Sequence, residues 1–438
     1  MKKFFRGISI LGIFFIMFFI FKNFYKTYNI EIQDKNLAYN LKYKGIINAN
    51  DFTFDENGNF YIAYMDRIQY IDKNGKSYDL IKDKSLNINS IEYNNKKLYF
   101  FSKDKVFCYD LDKKEKKILV DNLPNYGDYK DSIIKINGNE IFVSIGAATN
   151  SGVVGTDNVW IKENPFYCDI SPKDITIKGR SFGNEKTGAF VPYKTKNQTG
   201  QIISGHFPGN ASIIHYDLNN GYGETFAWGI RNVTGMDFNS EGKLIAAVGG
   251  MEDRGLRPVK GDVDYIYEIK KGLWYGWPDY SGGDPLTSPR FKGKNNTKIN
   301  FILDNHPNTN PPAPIYQHKQ LSSIKCLTID SKGLIGEKDS IYFYDKTDNI
   351  IYKFLKSGNL QPIVNFKTNS NISSLKIFNN NILALDKNQG VLYEIYLNNI
   401  NKNFIKLNKN VIYYLLTVIT ITIFILIWKF IKISKKKQ

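Results

Sequence analysis

Residues 52–72, FTFDENGNFYIAYMDRIQYID, decide the fold of this chain. Two short runs rich in aromatic and β-branched residues flank the pair Asn57-Gly58, and runs of this length and composition are typical of β-strands. Asn and Gly accept positive φ at low steric cost, so the pair suits a tight hairpin turn. The stretch therefore predicts a pair of short antiparallel strands.

The same unit recurs along the middle of the chain, where helical periodicity is nowhere sustained. Small antiparallel sheets must bury their faces against neighbours, and a closed ring does so without leaving long edges. We therefore predict an all-β fold, a six-bladed β-propeller over residues 40–398 with an insertion at residues 147–205. A β-sandwich array or an open solenoid is the alternative. The six units are residues 52–72, 91–111, 133–146, 236–250, 327–354 and 374–397, with tight turns at Asn57-Gly58, Asn94-Asn95, Gly138-Asn139 and Gly242.

Two uncharged apolar segments bracket these repeats. Residues 7–21 follow three basic residues, as in a signal peptide or a short anchor, and an anchor is favoured because no small-residue cleavage site follows. Residues 411–428 would reach about 27 Å as a helix, close to the thickness of the bilayer hydrocarbon, and lysines follow them. Since basic flanks stay in the cytoplasm, both termini are expected there, with the propeller extracytoplasmic and lipid contacting both ends. The expected segments are 1–28 (N-terminal anchor or signal), 410–429 (transmembrane helix) and 430–438 (basic cytoplasmic tail).

The net charge of +17 is concentrated at the two ends of the chain. Residues 1–28 hold five basic residues and no acid, and residues 399–438 hold eight and no acid, so 13 of the 17 charges flank the apolar segments. The middle of the chain has no large basic surplus, and we exclude a nucleic-acid partner. The three cysteines lie far apart in no metal-ligand spacing and allow at most one disulfide.

Several motifs in the third to fifth units resemble one known family. They are residues 227–232 (AWGIRN), the acidic loop 251–255 (MEDRG), residues 272–278 (GLWYGWP), and residues 143–146 (VSIG) with Asn150. In this order they resemble the glucose and sorbosone dehydrogenases, six-bladed propellers that use pyrroloquinoline quinone (PQQ) and calcium, and the acidic loop is nearest to the sorbosone branch. The resemblance implies the same fold and a sugar-oxidising activity.

The resemblance also implies which residues hold the cofactors. A quinone that carries carboxylates needs fixed cations, so Arg231 would clamp it, with Asn232 donating beside it and Trp277 forming an apolar wall. Lys346 is the only cation where the family has an arginine-containing segment. The alternatives are structural: an arginine bonded to blade carbonyls, a solvated acidic loop, and a corner at Trp277. Calcium prefers oxygen ligands, and the candidate ligands are Glu252, Asp253, Gly255, Asp262 and Asp264.

The catalytic base is where this sequence departs from the family. Oxidation of a sugar by a quinone needs a base near the transferred hydrogen, and in the family a histidine opens the inner strand of the third blade. The matching segment here, residues 127–132 (GDYKDS), has no histidine. Asp128 and Asp131 are the candidate replacements, and Tyr129 is a weaker one.

Two functions are consistent with these features. The first is a membrane-anchored, extracytoplasmic oxidoreductase that oxidises an aldose or related sugar with PQQ. The second is a propeller without this chemistry that binds a sugar, a glycan or a protein at the cell surface. A calcium-dependent hydrolase on the same ring has only the acidic loops in its favour.

Overall fold

The repeats form six antiparallel sheets in the computed structural model, which describes residues 28–367 and 369–398, together with Gly12 and Trp428. Each sheet is one blade, and its strands run outward from the ring axis in chain order in blades 1 and 2. The strands are β1 (Glu31–Ile32) and β2 (Leu37–Lys44); β3 (Asp51–Phe54), β4 (Phe60–Ala63), β5 (Arg67–Ile71) and β6 (Ser77–Lys82) in blade 1; and β7 (Ile88–Asn94), β8 (Lys97–Ser102), β9 (Lys105–Asp110) and β10 (Glu115–Val120) in blade 2.

The later blades carry the insertions. Blade 3 consists of β11 (Ile134–Asn137), β12 (Glu140–Ile145), β15 (Ser212–Asp217) and β16 (Gly223–Trp228), with β13 (Ile175–Lys178) and β14 (Thr199–Ile203) inserted. Blade 4 consists of β17 (Val233–Phe238), β18 (Leu244–Val248), β19 (Tyr265–Ile269) and β23 (Tyr316–Gln317), with β20 (Tyr280–Ser281), β21 (Asp284–Pro285) and β22 (Leu303–Asn305) inserted. Blade 5 consists of β24 (Ile324–Asp330), β25 (Ser340–Asp345), β26 (Ile350–Phe354) and β27 (Leu360–Asn365), with β1 paired to the outer edge of β27. Blade 6 begins with β28 (Ile372–Phe378), β29 (Asn381–Asp386) and β30 (Val391–Leu397).

Both faces of the blades are buried against neighbouring blades. In β8, Leu98 and Phe100 pack in the cluster shared with blade 1, whereas Tyr99 and Phe101 pack in the cluster shared with blade 3. Successive side chains of a strand point to opposite faces, so a continuous apolar run fits a strand that is covered on both sides. Burying one such phenylalanine contributes about 1.5–3 kcal/mol. Each of the six blade junctions has a cluster of this kind among the described residues.

The ring is closed by a strand from the other end of the chain. The outer strand of blade 6 is β2, whose Leu37 pairs with Leu397 and whose Lys44 pairs with Val391 in β30. The inner strands contact one another in the cyclic order β3, β7, β11, β17, β24 and β28, and β28 meets β3 again. The prediction of six closed blades is confirmed, and the open solenoid and the sandwich array are excluded.

The predicted hairpin turns form with one shift in register. Gly58 has φ of 80° and turns β3 into β4, as the Asn57-Gly58 pair predicts. In blade 2 the turn is centred on Asn95 and Lys96, which have φ of 48° and 60°, one residue later than predicted. The pairing of Asn94 with Lys97 fixes this register.

The insertion is larger than residues 147–205. Strands β13 and β14 pair, and β22 from the blade 4 insertion joins the other edge of β13. The two insertions therefore form one three-stranded sheet, which has a separate hydrophobic cluster that includes Phe190, Trp277 and Phe291. We call the two together the insertion module.

A belt of charged side chains lines the central channel. Lys135 Nζ lies 3.2 Å from Glu92 Oε1 and 3.3 Å from Asp237 Oδ1, and Lys376 Nζ lies 3.0 Å from Glu92 Oε1 and 3.7 Å from Asp51 Oδ1. These five residues, the polar belt, belong to the inner strands of five different blades. Four of them, Asp51, Glu92, Lys135 and Lys376, line a cavity of about 70 Å³ together with neighbouring inner-strand residues. Burial acts to raise the pKa of Glu92, but the two ammonium groups hold it below its ordinary value.

The predicted membrane segments lie almost wholly outside the described residues. Of residues 1–28, 410–429 and 430–438, the structure describes only Gly12, residue 28 and Trp428. In the part of the chain that is described, no helix has the length and apolar composition needed to cross a bilayer.

Candidate functional site

The residues singled out by the sequence lie on loops at one face of the ring. Loops that lead into an inner strand and loops that join the second and third strands of a blade share one face, because the strands of each blade are antiparallel. Arg231 precedes β17, Asp128 lies between β10 and β11, Glu252 follows β18, and Lys346 follows β25. We call this the site face. Strand β30 ends with Leu397 on the opposite face.

Arg231 is buried at the site face, and its guanidinium is bonded within the protein. Its Nε donates to the carbonyl oxygen of Asn150 at 3.2 Å, and its Nη1 donates to that of Gly249 at 3.1 Å. Its Nη2 donates to Asn150 Oδ1 at 3.1 Å and to the Tyr129 hydroxyl. The side chain is 3% exposed. All three nitrogens therefore have acceptors, as in the structural alternative predicted for this residue.

Gly229 allows the chain to approach this point. Its φ is 69°, and a Cβ there would lie 2.3 Å from Trp274 Cδ1. Only glycine combines this backbone conformation with such close packing. The glycine of the motif therefore serves the packing of the corner in which Trp274 and Trp277 are buried.

Tyr129 covers Arg231. The guanidinium carbon lies 4.0 Å from the centre of the tyrosine ring, a cation–π contact, and the hydroxyl also accepts a bond of 2.7 Å from Arg254 Nη2. The hydroxyl in turn lies 3.2 Å from Glu252 Oε2. Burial raises the pKa of Tyr129 to about 12, so the phenol stays protonated near neutral pH. Tyr129 thus occupies the segment in which the family has its histidine.

Arg254 forms ion pairs with three carboxylates. Its Nη2 lies 2.8 Å from Asp128 Oδ2, its Nη1 lies 2.7 Å from Asp157 Oδ2, and its Nε bonds Glu252 Oε2. Its side chain is 30% exposed, so this network reaches the solvent. We call Asp128, Tyr129, Arg231, Glu252 and Arg254 the mouth cluster. Arg254 and Asp157 had no role in the sequence-based prediction, although an arginine directly after two acidic residues, Glu252-Asp253-Arg254, is a signal for such a network.

The two candidate bases differ in their surroundings. Asp128 accepts bonds from Asn158 Nδ2 at 2.8 Å and from Trp160 Nε1 at 2.9 Å, in addition to its ion pair with Arg254. Three donors therefore compete for the lone pairs that a base needs. Asp131 is exposed and outside the mouth cluster. The structure brings Asp128 to the mouth, with its oxygens engaged, and leaves Asp131 apart.

Glu252 joins the mouth cluster to blade 5. Its Oε1 accepts a bond of 3.0 Å from Ser322 Oγ, and its Oε2 faces Arg231 Nη2 at 3.6 Å. Burial acts to raise the pKa of Glu252, but the guanidiniums of Arg231 and Arg254 outweigh it and hold the pKa below its ordinary value. Glu252 is therefore a carboxylate at neutral pH.

The five candidate calcium ligands do not converge. Asp264 accepts backbone N–H bonds from Ser323 at 2.6 Å and Ile324 at 2.9 Å, and Asp262 accepts one from Met251 at 2.6 Å. Both carboxylates therefore accept backbone hydrogen bonds that hold neighbouring loops in place. Over residues 28–367 and 369–398, no group of three or more His, Cys, Asp and Glu side chains is arranged to hold a metal ion. Asp253 and Gly255 are exposed, and Glu252 belongs to the mouth cluster.

The three other predicted cofactor residues differ in their burial. Trp277 is 5% exposed and donates its Nε1 hydrogen to the carbonyl of Asn150 at 3.1 Å, so it forms a structural corner. Asn232 is half-buried next to Gly249. Lys346 is exposed, and its backbone N–H bonds Ser323.

A second lysine, Lys325, lies beside Lys346. It is the extra residue of a β-bulge between Ile324 and Cys326, and Ile324 pairs with Asp345, the neighbour of Lys346. Burial and then the charge of Lys325 lower the pKa of Lys346 below its ordinary value. A bulge redirects a side chain, and here it places a second cation at the edge of the mouth.

The four histidines lie away from the mouth cluster. His318 is buried and bonds Asp345 Oδ2 at 2.9 Å, and His306 bonds the buried Asp279 at 3.0 Å. His215 faces Glu140 in the outer part of blade 3, and His206 is exposed in the insertion module. The chain therefore offers no imidazole where the family has its base.

Comparisons with known proteins identify structures of similar fold, but the sequence comparisons assign no family. Scans against family models and against curated proteins find no match. Among solved structures, an AA12 carbohydrate-active enzyme of Trichoderma reesei is 15% identical with a TM-score of 0.58, covering 84% of this chain and 98% of that one. The PQQ domain of a pyranose dehydrogenase from Coprinopsis cinerea is 13% identical with a TM-score of 0.58, covering 85% and 98%. The PQQ-bound aldose sugar dehydrogenase of Streptomyces coelicolor is 12% identical with a TM-score of 0.50, covering 83% and 100%.

These likenesses define a class by its fold. The chain is an all-β propeller with the fold of PQQ-dependent sugar dehydrogenases. The resemblance inferred from the motifs at residues 227–232 and 272–278 is thereby confirmed at the level of the fold. The sorbosone branch stays a prediction.

Proposed function

We propose that this protein is a membrane-anchored, extracytoplasmic propeller that binds a saccharide at the mouth of its ring. The proposal rests on the partly exposed edge of the mouth cluster, where the side chains of Glu252 and Arg254 are 28% and 30% exposed. Sugar hydroxyl groups both donate and accept hydrogen bonds, and a fixed carboxylate beside a fixed guanidinium supplies charge-assisted partners for both roles. Lys325 and Lys346 add donors at the same edge, which also suits an acidic sugar.

The mouth cluster does not fit a quinone at Arg231. Every nitrogen of the guanidinium already donates to an oxygen of this chain, and Tyr129 lies over it. A carboxylate or quinone oxygen would have to displace Tyr129, and it would then meet the negative charge of Glu252 3.6 Å from the guanidinium. The described residues also lack a cluster of calcium ligands. We therefore derive no catalytic step through PQQ.

A quinone-dependent sugar oxidoreductase is the second candidate. It is favoured by the fold shared with proteins whose names include PQQ and sugar dehydrogenase, and by the exposed lysine pair, which could face an anionic cofactor. Here Tyr129 or Asp128 would stand where the base is expected. Addition of PQQ and Ca²⁺ to the full-length protein, followed by dye reduction with a panel of aldoses, tests this candidate. A rise in melting temperature with PQQ would support it, since a ligand of the native state stabilises by mass action.

Saccharide binding is tested by calorimetry on the purified full-length protein. We expect a neutral or acidic sugar to bind, and Lys346→Ala to weaken binding about fivefold, as for loss of one exposed charge-assisted bond of about 1 kcal/mol. Lys332→Ala is the matched control, because Lys332 is an exposed lysine of the same blade on the opposite face. Equal effects of the two substitutions, or no binding to any sugar, would refute the proposal.

A further inference from the structure

An exposed apolar patch lies in the insertion module, in the loop that follows β12. Val159 is 73% exposed, Phe166 is 83% exposed and Tyr167 is 44% exposed. Single exposed apolar residues are ordinary, but three within nine residues form a patch that usually marks an interaction site. Trp160 lies in the same loop, in a 3-10 helix formed by Val159–Lys162.

This patch is joined directly to the mouth cluster. Trp160 Nε1 donates to Asp128 Oδ1 at 2.9 Å, and the neighbouring Asn158 donates to Asp128 Oδ2 at 2.8 Å. Tyr126 connects the rings: its centroid lies 6.3 Å from that of Trp160 and 4.5 Å from that of Tyr167. We call Tyr126, Val159, Trp160, Phe166 and Tyr167 the aromatic rim, and it is continuous with the polar groups proposed to hold a sugar.

The loop holds the rim in an open conformation. Asn158 Oδ1 accepts the backbone N–H of Gly155 at 2.8 Å, and the N–H of Asn164 bonds the carbonyl of Trp160 at 2.9 Å. The N–H of Tyr167 then bonds the carbonyl of Asn164 at 3.2 Å. These bonds belong to a loop conformation in which Phe166 is exposed to solvent. A loop that is already ordered before binding costs a ligand less affinity.

We propose that the aromatic rim is a subsite for further sugar units, so that the ligand of this protein is an oligosaccharide chain. The inference rests on the proposed saccharide site and extends it. One pyranose unit would bond the partly exposed charged groups of Glu252 and Arg254, and the next units would lay their apolar faces on the rings of Tyr167 and Phe166. Aromatic side chains with polar handles suit such a ligand, because each sugar has an apolar face and a polar edge.

A bilayer is the competing occupant of an exposed apolar patch. The rim contains polar handles that are already directed into the mouth, such as the Trp160 indole N–H on Asp128. These handles favour a saccharide over lipid.

The experiment compares chain lengths. Binding of cello-, chito- and galacturono-oligosaccharides of increasing length, starting from the monosaccharide, is measured by calorimetry on the full-length protein. For at least one series we expect affinity to rise with length, by about tenfold for each aromatic ring that an added sugar unit covers. The double variant Phe166→Ala/Tyr167→Ala should lose this increase and keep the affinity for the monosaccharide. Phe207→Ala is the matched control, because Phe207 is an aromatic residue of the insertion module outside the rim and is 42% exposed.

The outcomes separate the two proposals. If a monosaccharide binds but longer chains bind no better, or if the double variant keeps the increase with length, the rim is not a subsite, and the proposed mouth site survives. If no saccharide of any length binds, both proposals are refuted. Sedimentation with phosphatidylglycerol vesicles supplies the last arm: co-sedimentation that the double variant abolishes would assign the rim to lipid and overturn the inference.

Discussion

Replacement of Lys376 by methionine should destabilise the ring far more than loss of an ordinary surface salt bridge. The substitution keeps an unbranched apolar side chain, one atom shorter, and removes the ammonium that lies 3.0 Å from Glu92 and 3.7 Å from Asp51. At an effective dielectric constant near 20, each contact is worth roughly 4–6 kcal/mol of attraction, most of which offsets the cost of burying the charges. Removal of one partner of a buried pair leaves that cost without the attraction, so we expect a loss of about 3–5 kcal/mol.

Urea unfolding of the full-length protein measures this loss. Lys243→Met is the matched control, because Lys243 pairs with Glu241 at 2.7 Å while the two side chains are 47% and 53% exposed. That pair should contribute about 0–1 kcal/mol. Adding Glu92→Gln to Lys376→Met should restore part of the stability, since it removes one of the three belt carboxylates that then share the single ammonium of Lys135.

The contribution of the Glu92–Lys376 ion pair to stability depends on pH. The pKa of Glu92 is lowered in the folded protein, so its contribution is present above the unfolded pKa and is lost as pH falls. Without Lys376 the pKa of Glu92 is lowered less. The difference in free energy of unfolding between wild type and Lys376→Met should therefore become smaller at acid pH. Equal losses for Lys376→Met and Lys243→Met, or a double variant as unstable as the sum of its parts, would refute a coupled belt across the channel.

Three further predictions concern other buried groups. Burial raises the pKa of Asp169 from 3.8 to about 7. Between these two pH values the folded protein holds a proton on Asp169 that the unfolded chain has lost, so the free energy of unfolding should fall as pH rises through this window. Urea unfolding of Asp169→Asn should show a weaker pH dependence. Burial likewise raises the pKa of Cys168 to about 12, so alkylation by iodoacetamide at pH 8 should be slow until the protein is unfolded, and rapid native labelling would contradict this. Asp264→Ala should cost about 2–5 kcal/mol in urea unfolding because four backbone N–H groups lose their acceptor. Asp253→Ala, at an exposed residue of the same loop, should change stability by less than about 0.5 kcal/mol.

Local patterns were sufficient to predict the blades. Runs such as Phe60-Tyr61-Ile62-Ala63 alternate between two neighbouring blades, so an unbroken apolar strand indicates a sheet covered on both faces. The ring-closing strand β2 was not identified, because its partner β30 lies at the other end of the chain and no local pattern links the two. The polar belt was missed for the same reason. Lys135 and Lys376 look like solvated strand residues until the ring brings their carboxylates within reach.

The site was predicted in position but not in detail. Arg231, Asp128 and Glu252 meet at one mouth because the motifs fall on loops that share a face of the propeller. Their partners did not follow from sequence, since Asn150 and Asp157 come from the insertion, whose path no local pattern specifies. Asp262 and Asp264 have the composition of a metal loop, yet the nearest hydrogen-bond donors are backbone N–H groups, which leave no trace in the sequence.

Pairing of Leu37 with Leu397 also has a consequence for biogenesis. Strand β30 pairs with the outer edge of β29, and β2 pairs with β30. Because β30 is the last strand of the propeller to be synthesised, β2, the first long strand, has no partner until nearly the whole propeller has been translated. Until then, blade 6 lacks its outer strand and the apolar surface between blades 6 and 1 has no cover. A chain that ended near residue 390 would lack β30, so β2 would have no partner strand and the ring would stay open.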